Sequence, residues 1–223
     1  MKLSAHGTKE MIVGTILLLA LAAVLGWLWW PLAFVPVPVI VWLFAFFRDP
    51  ERPIPTGSVV VSPADGLVTD VTDVENDPLI GGPAVRIGIF LSVFNVHINR
   101  APLEGKVLDI TYKKGTFKSA LRHGEASTDN ECNTILLGDI AMGRPIAVVR
   151  QIAGLIARRI VCTTKPGDVL KTGERLGLIK FGSRTELTIA KHLNPVVDVK
   201  VGQKLRGAAD VVARLGTPAN AYA

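Results

Sequence analysis

Residues 11–47 carry no charged side chain. The first part, MIVGTILLLALAAVLGWLWW (11–30), has the roughly 20 apolar residues a helix needs to cross a hydrocarbon core. The second, PLAFVPVPVIVWLFAFF (31–47), is as apolar, but Pro31, Pro36 and Pro38 interrupt helix there. The two runs predict a hydrophobic helical hairpin, with Trp27, Trp29 and Trp30 at the level of an interfacial aromatic belt. Lys2 and Lys9 flank its start, Arg48 and Arg52 its end, and no Lys or Arg lies between. The positive-inside rule then places both ends on the cytoplasmic side of a cell membrane. A cleaved signal peptide fits less well, because the apolar region is too long and no small-residue cleavage site precedes its second half. A re-entrant or interfacial course for that second half stays open.

The rest of the 223 residues reads as a soluble domain. Residues 1–10 form a cytoplasmic N-terminus, and RDPERPIPTGS (48–58) is a proline-rich, charged linker. Residues 59–223 hold short β-type runs, among them VVVSPADGLVTDV, AVRIGIFLS, FNVHINRA, PIAVVRQIAG, RLGLIKF, TELTIA and PVVDVKV. Turn signals separate them about every ten residues, which predicts a mainly β sandwich or barrel. An α+β fold stays open, with AGLIARRI as the one helix candidate. KPGDVLKTGERLGLIKFGS resembles the hammerhead or barrel-sandwich β domains of lipoyl and sugar-phosphotransferase type, a style of turn packing with no functional content.

The net charge is 25 − 19 = +6. After residue 50 no basic stripe is interleaved with aromatics, so nucleic acid is a poor match and an anionic lipid surface a better one. Cys132 and Cys162 form no CxxC or metal-type spacing and read as reduced thiols. His6, His97, His123 and His192 are too scattered to suggest a metal site.

One junction carries chemistry. RLGLIKF runs into Gly182-Ser183, and TELTIA follows almost at once. Glycine permits backbone angles other residues resist and leaves its carbonyl open to attack. The next serine hydroxyl can attack that carbonyl and turn the amide into an ester, provided a base is held in reach. Elimination of the ester and hydrolysis of the dehydroalanine leave a pyruvoyl group. The candidate bases are Asp65 in SPADG and His97 in FNVHINRAP.

SPADG, FLSVFNVHINRAP, Asn130-Glu131 and KPGDVLKTGERLGLIKFGSRTEL, in that order after a hydrophobic N-terminus, resemble the phosphatidylserine decarboxylase proenzymes. The match is closest to the short form found in many bacteria and archaea, and it covers nearly the whole chain. The resemblance implies self-cleavage between Gly182 and Ser183, giving a β chain (1–182) and an α chain (183–223) that stay associated as a heterodimer. It implies that Ser183 becomes a covalent pyruvoyl cofactor. That ketone takes the substrate amine as a Schiff base and decarboxylates phosphatidylserine in the bilayer to phosphatidylethanolamine and CO2. Asp65 and His97 stand at family positions serving self-cleavage and decarboxylation. Long members carry a second histidine where this chain has Arg100, so whether His97 or another group, such as His123, is the self-cleavage base stays open. His97 is also favoured as the proton donor to the carbanion, since imidazole works near neutral pH. Many members have Thr after the serine, where this chain has Arg184. Arg48, Arg52 and Arg100 are candidate contacts for the lipid phosphate. A decarboxylase of an archaeal ether serine lipid would carry the same motifs. A membrane-anchored β carrier without catalysis would stay uncut, and a metallopeptidase would need an HxxxD or HxH set, which is absent. A higher oligomer stays open.

Overall fold

The computed structural model describes residues 2–116, 129–154, 159–180 and 182–216. It forms two compact units, Met1–Glu51 and Arg52–Ala223.

In the first unit, α1 (Thr8–Leu28) is followed by a 3-10 turn at Trp30–Phe34 and by α2 (Val37–Phe46). The proline positions explain the break. Pro31 lies in the 3-10 turn, and Pro36 and Pro38 start the second helix, where a missing N–H costs nothing. The helices run antiparallel. A side chain at Gly7 would collide with Phe47 and one at Gly14 with Leu43, so the two glycines let the helices approach closely. Ala5–Leu28 is long and apolar enough to cross a membrane, whereas Trp30–Phe46 is short for a full crossing. Trp27, Trp29 and Trp30 are all exposed, Trp27 at 87%.

The second unit is mainly β. Its strands are β1 (Val59–Val61), β2 (Gly66–Asp77), β3 (Gly82–Leu91), β4 (Ile98–Arg100), β5 (Gly105–Lys113), β6 (Cys132–Gly138) and β7 (Pro145–Ala153). There follow β8 (Arg159–Cys162), β9 (Val169–Leu170), β10 (Arg175–Lys180), β11 (Ser183–Ala190), β12 (Pro195–Val197), β13 (Lys204–Leu205) and β14 (Val211–Leu215). A curled eight-stranded sheet has the order β13-β2-β3-β11-β7-β6-β5-β9. Two three-stranded sheets, β1-β14-β12 and β4-β10-β8, accompany it among the described residues.

The expected strands form where the period-2 pattern runs unbroken. FNVHINRA is a strand only from Ile98, because the Asn95 side chain accepts from the Ser92 amide and hydroxyl and closes a turn ahead of it. The outer residues of AGLIARRI lie in or beside β7 and β8, while 155–158 fall outside the described residues.

The core lies on one face of the large sheet. It gathers Ile87, Ile89 and Leu91 of β3, Leu187 and Ile189 of β11, Val149 of β7, and Ile135 and Leu137 of β6. Each such side chain contributes about 1.5–3 kcal/mol by leaving water. All eight residues of β11 are buried, because it is a central strand with both faces covered. It pairs along its whole length with β3 and from Ser183 to Ile189 with β7.

Candidate active site

The Gly182-Ser183 junction lies where the chain changes sheets. β10 belongs to the small β4-β10-β8 sheet, and β11 starts in the eight-stranded one after only two intervening residues. So abrupt a transfer needs an unusual backbone, and Gly182 sits at φ +70°, in the left-handed region. A Cβ there would meet only Val93, at 3.9 Å, so backbone conformation rather than crowding calls for glycine.

The same topology delivers His97. Ile98 of β4 pairs with Leu178 of β10, and the Ile179 amide donates to the His97 carbonyl at 3.3 Å. His97 therefore lies beside the exit from β10, 85 positions before Gly182. The Gly182 amide donates to His97 Nε2 at 3.3 Å. His97 Nδ1 lies 3.0 Å from the Asn95 carbonyl, which can only accept, so Nδ1 carries the proton. Nε2 then presents a lone pair to the junction. The imidazole is 1% exposed, and the turn at Ser92–Asn95 fixes it on the side away from Gly182.

Ser183 is fully buried, and its hydroxyl is without a hydrogen-bond partner among the described residues. Leaving a buried hydroxyl unpaired costs about 1–3 kcal/mol. The carbonyl that Ser183 would attack, that of Gly182, accepts from the Gly154 amide at 3.1 Å.

Asp65 lies at the same end of the large sheet, two strands away. Leu67 of β2 pairs with Phe90 of β3, and Phe90 pairs with Arg184, so the start of β2 is level with the start of β11. The usual strand spacing puts their backbones about 10 Å apart. One carboxylate oxygen of Asp65 accepts from the Gly207 amide at 2.7 Å, and the other binds Arg52 at 2.8 Å. The pair is largely buried. The structure thus gathers Gly182, Ser183 and His97 directly, with Asp65 at the margin.

Two further networks were not apparent in the sequence. On the face of β11 shared by Ser183, Asn99 donates to Thr185 at 2.8 Å, Gln151 to Asn99 at 2.9 Å and Asn133 to Gln151 at 2.9 Å. All four are buried. Their one sequence signal is a polar residue at a core position of an otherwise apolar strand. On the opposite face Arg184 binds Glu186 at 3.0 Å, Asp70 at 2.6 Å and Thr69 at 2.6 Å, while Arg150 reaches the other oxygen of Glu186 at 2.9 Å. A side chain at Gly88 would overlap the Arg184 guanidinium, so that glycine makes room for it. Arg184 and Glu186 are each 1% exposed, and burial is tolerable for such charges only when they are paired this fully.

The other candidates lie elsewhere. Arg48 donates to the Ala45 carbonyl, and buried Arg100 to the Gly173 carbonyl at 3.1 Å. His192 lines a cavity of about 570 Å3 with Arg144, Leu193 and Leu215. Burial lowers its pKa, and the Arg144 charge adds to the effect. A second cavity is lined by Lys191 and Asn194. Both lie toward the far end of β11 from Ser183, so cavity shape points away from the residues equipped for chemistry. His123 lies outside the described residues. Among the described residues no group of three or more His, Cys, Asp or Glu could hold a metal ion.

A family model, phosphatidylserine decarboxylase, matches residues 40–213. A phosphatidylserine decarboxylase proenzyme of Rhodopirellula baltica is 47% identical over 210 residues, 93% of this chain and 86% of the relative. Those of Ruegeria pomeroyi and Solibacter usitatus are each 44% identical, covering 90% and 88% of this chain and 88% and 91% of the relatives. With the family pattern and such relatives spanning most of the sequence, the chain belongs to the phosphatidylserine decarboxylase family.

Proposed function

We propose that this chain is a self-processing phosphatidylserine decarboxylase that cuts itself between Gly182 and Ser183 and converts Ser183 into its pyruvoyl cofactor. One observation carries the reading. An unprotonated imidazole nitrogen stands 3.3 Å from the amide of Gly182, and the next residue is a buried serine whose hydroxyl is unpaired among the described residues.

In the first step Ser183 Oγ attacks the Gly182 carbonyl carbon while His97 Nε2 takes the hydroxyl proton. The bond from Gly182 C to Ser183 N breaks, that nitrogen receives the proton from His97, and an ester joins the two residues. In the second step Ser183 loses its α-proton and the Cβ–Oγ bond breaks, which frees the Gly182 carboxylate. Water then displaces ammonia at residue 183. These residues suit the product, since the new terminus forms in a dry site at the head of a central strand. Once formed, the pyruvoyl group supplies the electron sink for loss of CO2 from a primary amine. After His97 Nε2 has taken up a proton it can deliver it to the substrate carbon, while the buried setting excludes water.

The sheet pairing supports lasting association of the two pieces. β11 is bonded on both edges, and β14 of the small piece pairs with β1 of the large one. The apolar hairpin would hold the enzyme at the membrane where its lipid substrate lies, with the catalytic domain on the cytoplasmic side. The test is intact mass under denaturing conditions. Two fragments are expected, one ending at Gly182, the other starting at residue 183, blocked to Edman chemistry and lighter than a serine start by the mass of ammonia. Purified protein should then decarboxylate phosphatidylserine in mixed micelles. A single mass for the full chain with no decarboxylation would instead fit a non-catalytic carrier.

We assign Asp65 to self-cleavage, with Arg52 holding it ionised. Arg206 also acts on Asp65. Its own pKa is raised first by its hydrogen bond to Asp210, with Asp65 a smaller contributor. Arg52→Gln removes a cation that holds the Asp65 carboxylate in place and should slow self-cleavage, as read on timed gels of freshly synthesised protein. An unchanged rate would remove Arg52 from this role.

A further inference from the structure

We propose that the backbone amide of Gly154 is the oxyanion donor for self-cleavage, stabilising the negative charge that develops on the Gly182 carbonyl oxygen. This rests on the reading that the chain cuts at Gly182-Ser183, and it names a group that acts on the reacting atoms themselves.

The ladder between β7 and β11 carries Gly154 to the junction. Ala153 is opposite Ser183, so the next pair outward is Gly154 opposite Gly182. Along β7 the bonding direction alternates. Ala153 turns to the other side, where its amide donates to the Glu131 carbonyl at 2.9 Å and its carbonyl accepts from Asn130 Nδ2 at 2.7 Å. Gly154 therefore faces β11. An ordinary antiparallel pair at this position would exchange two bonds. Here one is kept and the other is replaced. The Gly154 amide donates to the Gly182 carbonyl at 3.1 Å, but the Gly182 amide has turned to His97 Nε2. The φ of +70° at Gly182 accompanies that split. The peptide on the N-terminal side of Gly182 addresses the base, and the reacting peptide on its C-terminal side keeps a donor on its oxygen.

Attack by Ser183 turns that carbonyl oxygen into an alkoxide. A donor already aimed at it strengthens as charge develops, and Ser183 is fully buried, so little water competes. The donor is also held from behind. Asn130, itself 1% exposed, fixes the Ala153 carbonyl and with it the peptide plane that carries the Gly154 N–H. Because the donor is backbone, no side-chain motif announces it.

The alternative is that the bond merely extends the sheet. Replacement of the N–H separates the two. The full chain would be made by cell-free synthesis with phosphatidylglycerol–phosphatidylcholine vesicles, and cutting followed on denaturing gels with and without hydroxylamine, which cleaves an ester at once. Gly154→Pro removes the N–H. It should slow cutting by about 100-fold or more, the usual effect of losing one such donor, and accumulate no hydroxylamine-sensitive ester. Should the proline variant fail to fold, glycolate at position 154 replaces N–H by O with little change of shape, and the same slowing is expected. Cutting at the wild-type rate in a folded variant lacking the N–H would overturn the proposal, as would a hydroxylamine-sensitive ester that builds up. Wild-type chain that never cuts would instead remove the self-cleavage reading itself.

Discussion

Ser183→Ala is expected to give a single full-length chain, inactive toward phosphatidylserine and no less stable than the uncut wild type. The first two effects follow from chemistry. Without Oγ no atom can attack the Gly182 carbonyl, and without the ester no ketone forms at residue 183. The third follows from packing. The hydroxyl is buried and unpaired among the described residues, so its removal deletes an unmet polar group from a site with no exposure. That relieves about 1–3 kcal/mol, offset by the small void left behind. A fall in activity with lower stability would instead mean that the hydroxyl supports the fold. The comparison is made by mass, thermal melting and decarboxylation assay on freshly synthesised uncut chains. A cut and active Ser183→Ala would place the junction elsewhere.

His97→Ala is expected to abolish cutting almost as fully, with a rate lower by about 10²–10⁴, the usual worth of a positioned general base. Its Nε2 is the described acceptor at the Gly182 amide, and its tautomer is fixed by the Asn95 carbonyl. His97→Ala should show no hydroxylamine-sensitive ester, because it fails before the acyl shift. An ester that accumulates would move His97 to the elimination step. His123→Ala should cut normally, and a block there would transfer the base to that residue.

Features that depend on near neighbours were legible in the sequence. The hairpin could be read from an uncharged run and its prolines, since transfer out of water and the missing proline N–H act locally. The β domain could be read from period-2 runs between turn residues. The Gly182-Ser183 pair could be read because its chemistry joins adjacent residues. Even there the local signal had limits. FNVHINRA has the composition of a strand, but the Asn95 side chain turns its first half into the support for His97.

Tertiary structure decided the environment of that junction. His97 reaches Gly182 only because β4 pairs with β10, Gly154 only because β7 pairs with β11, and Arg52 meets Asp65 across a proline-rich stretch with no periodic pattern. The hydrogen bonds that set these pairings are backbone groups common to every residue, so composition leaves their partners unspecified. Arg184 shows the same division. In the sequence it is one more charged residue beside the junction, and in the fold it is a buried cation paired with Asp70 and Glu186 on the strand whose first residue is the serine proposed to become a chain end. The sequence by itself determined the hairpin, the β class and the glycine-serine pair proposed for cleavage, because each rests on neighbouring residues. The proposed base, the proposed donor on the Gly182 oxygen and the partner of Asp65 awaited the sheet register, a property of the whole chain.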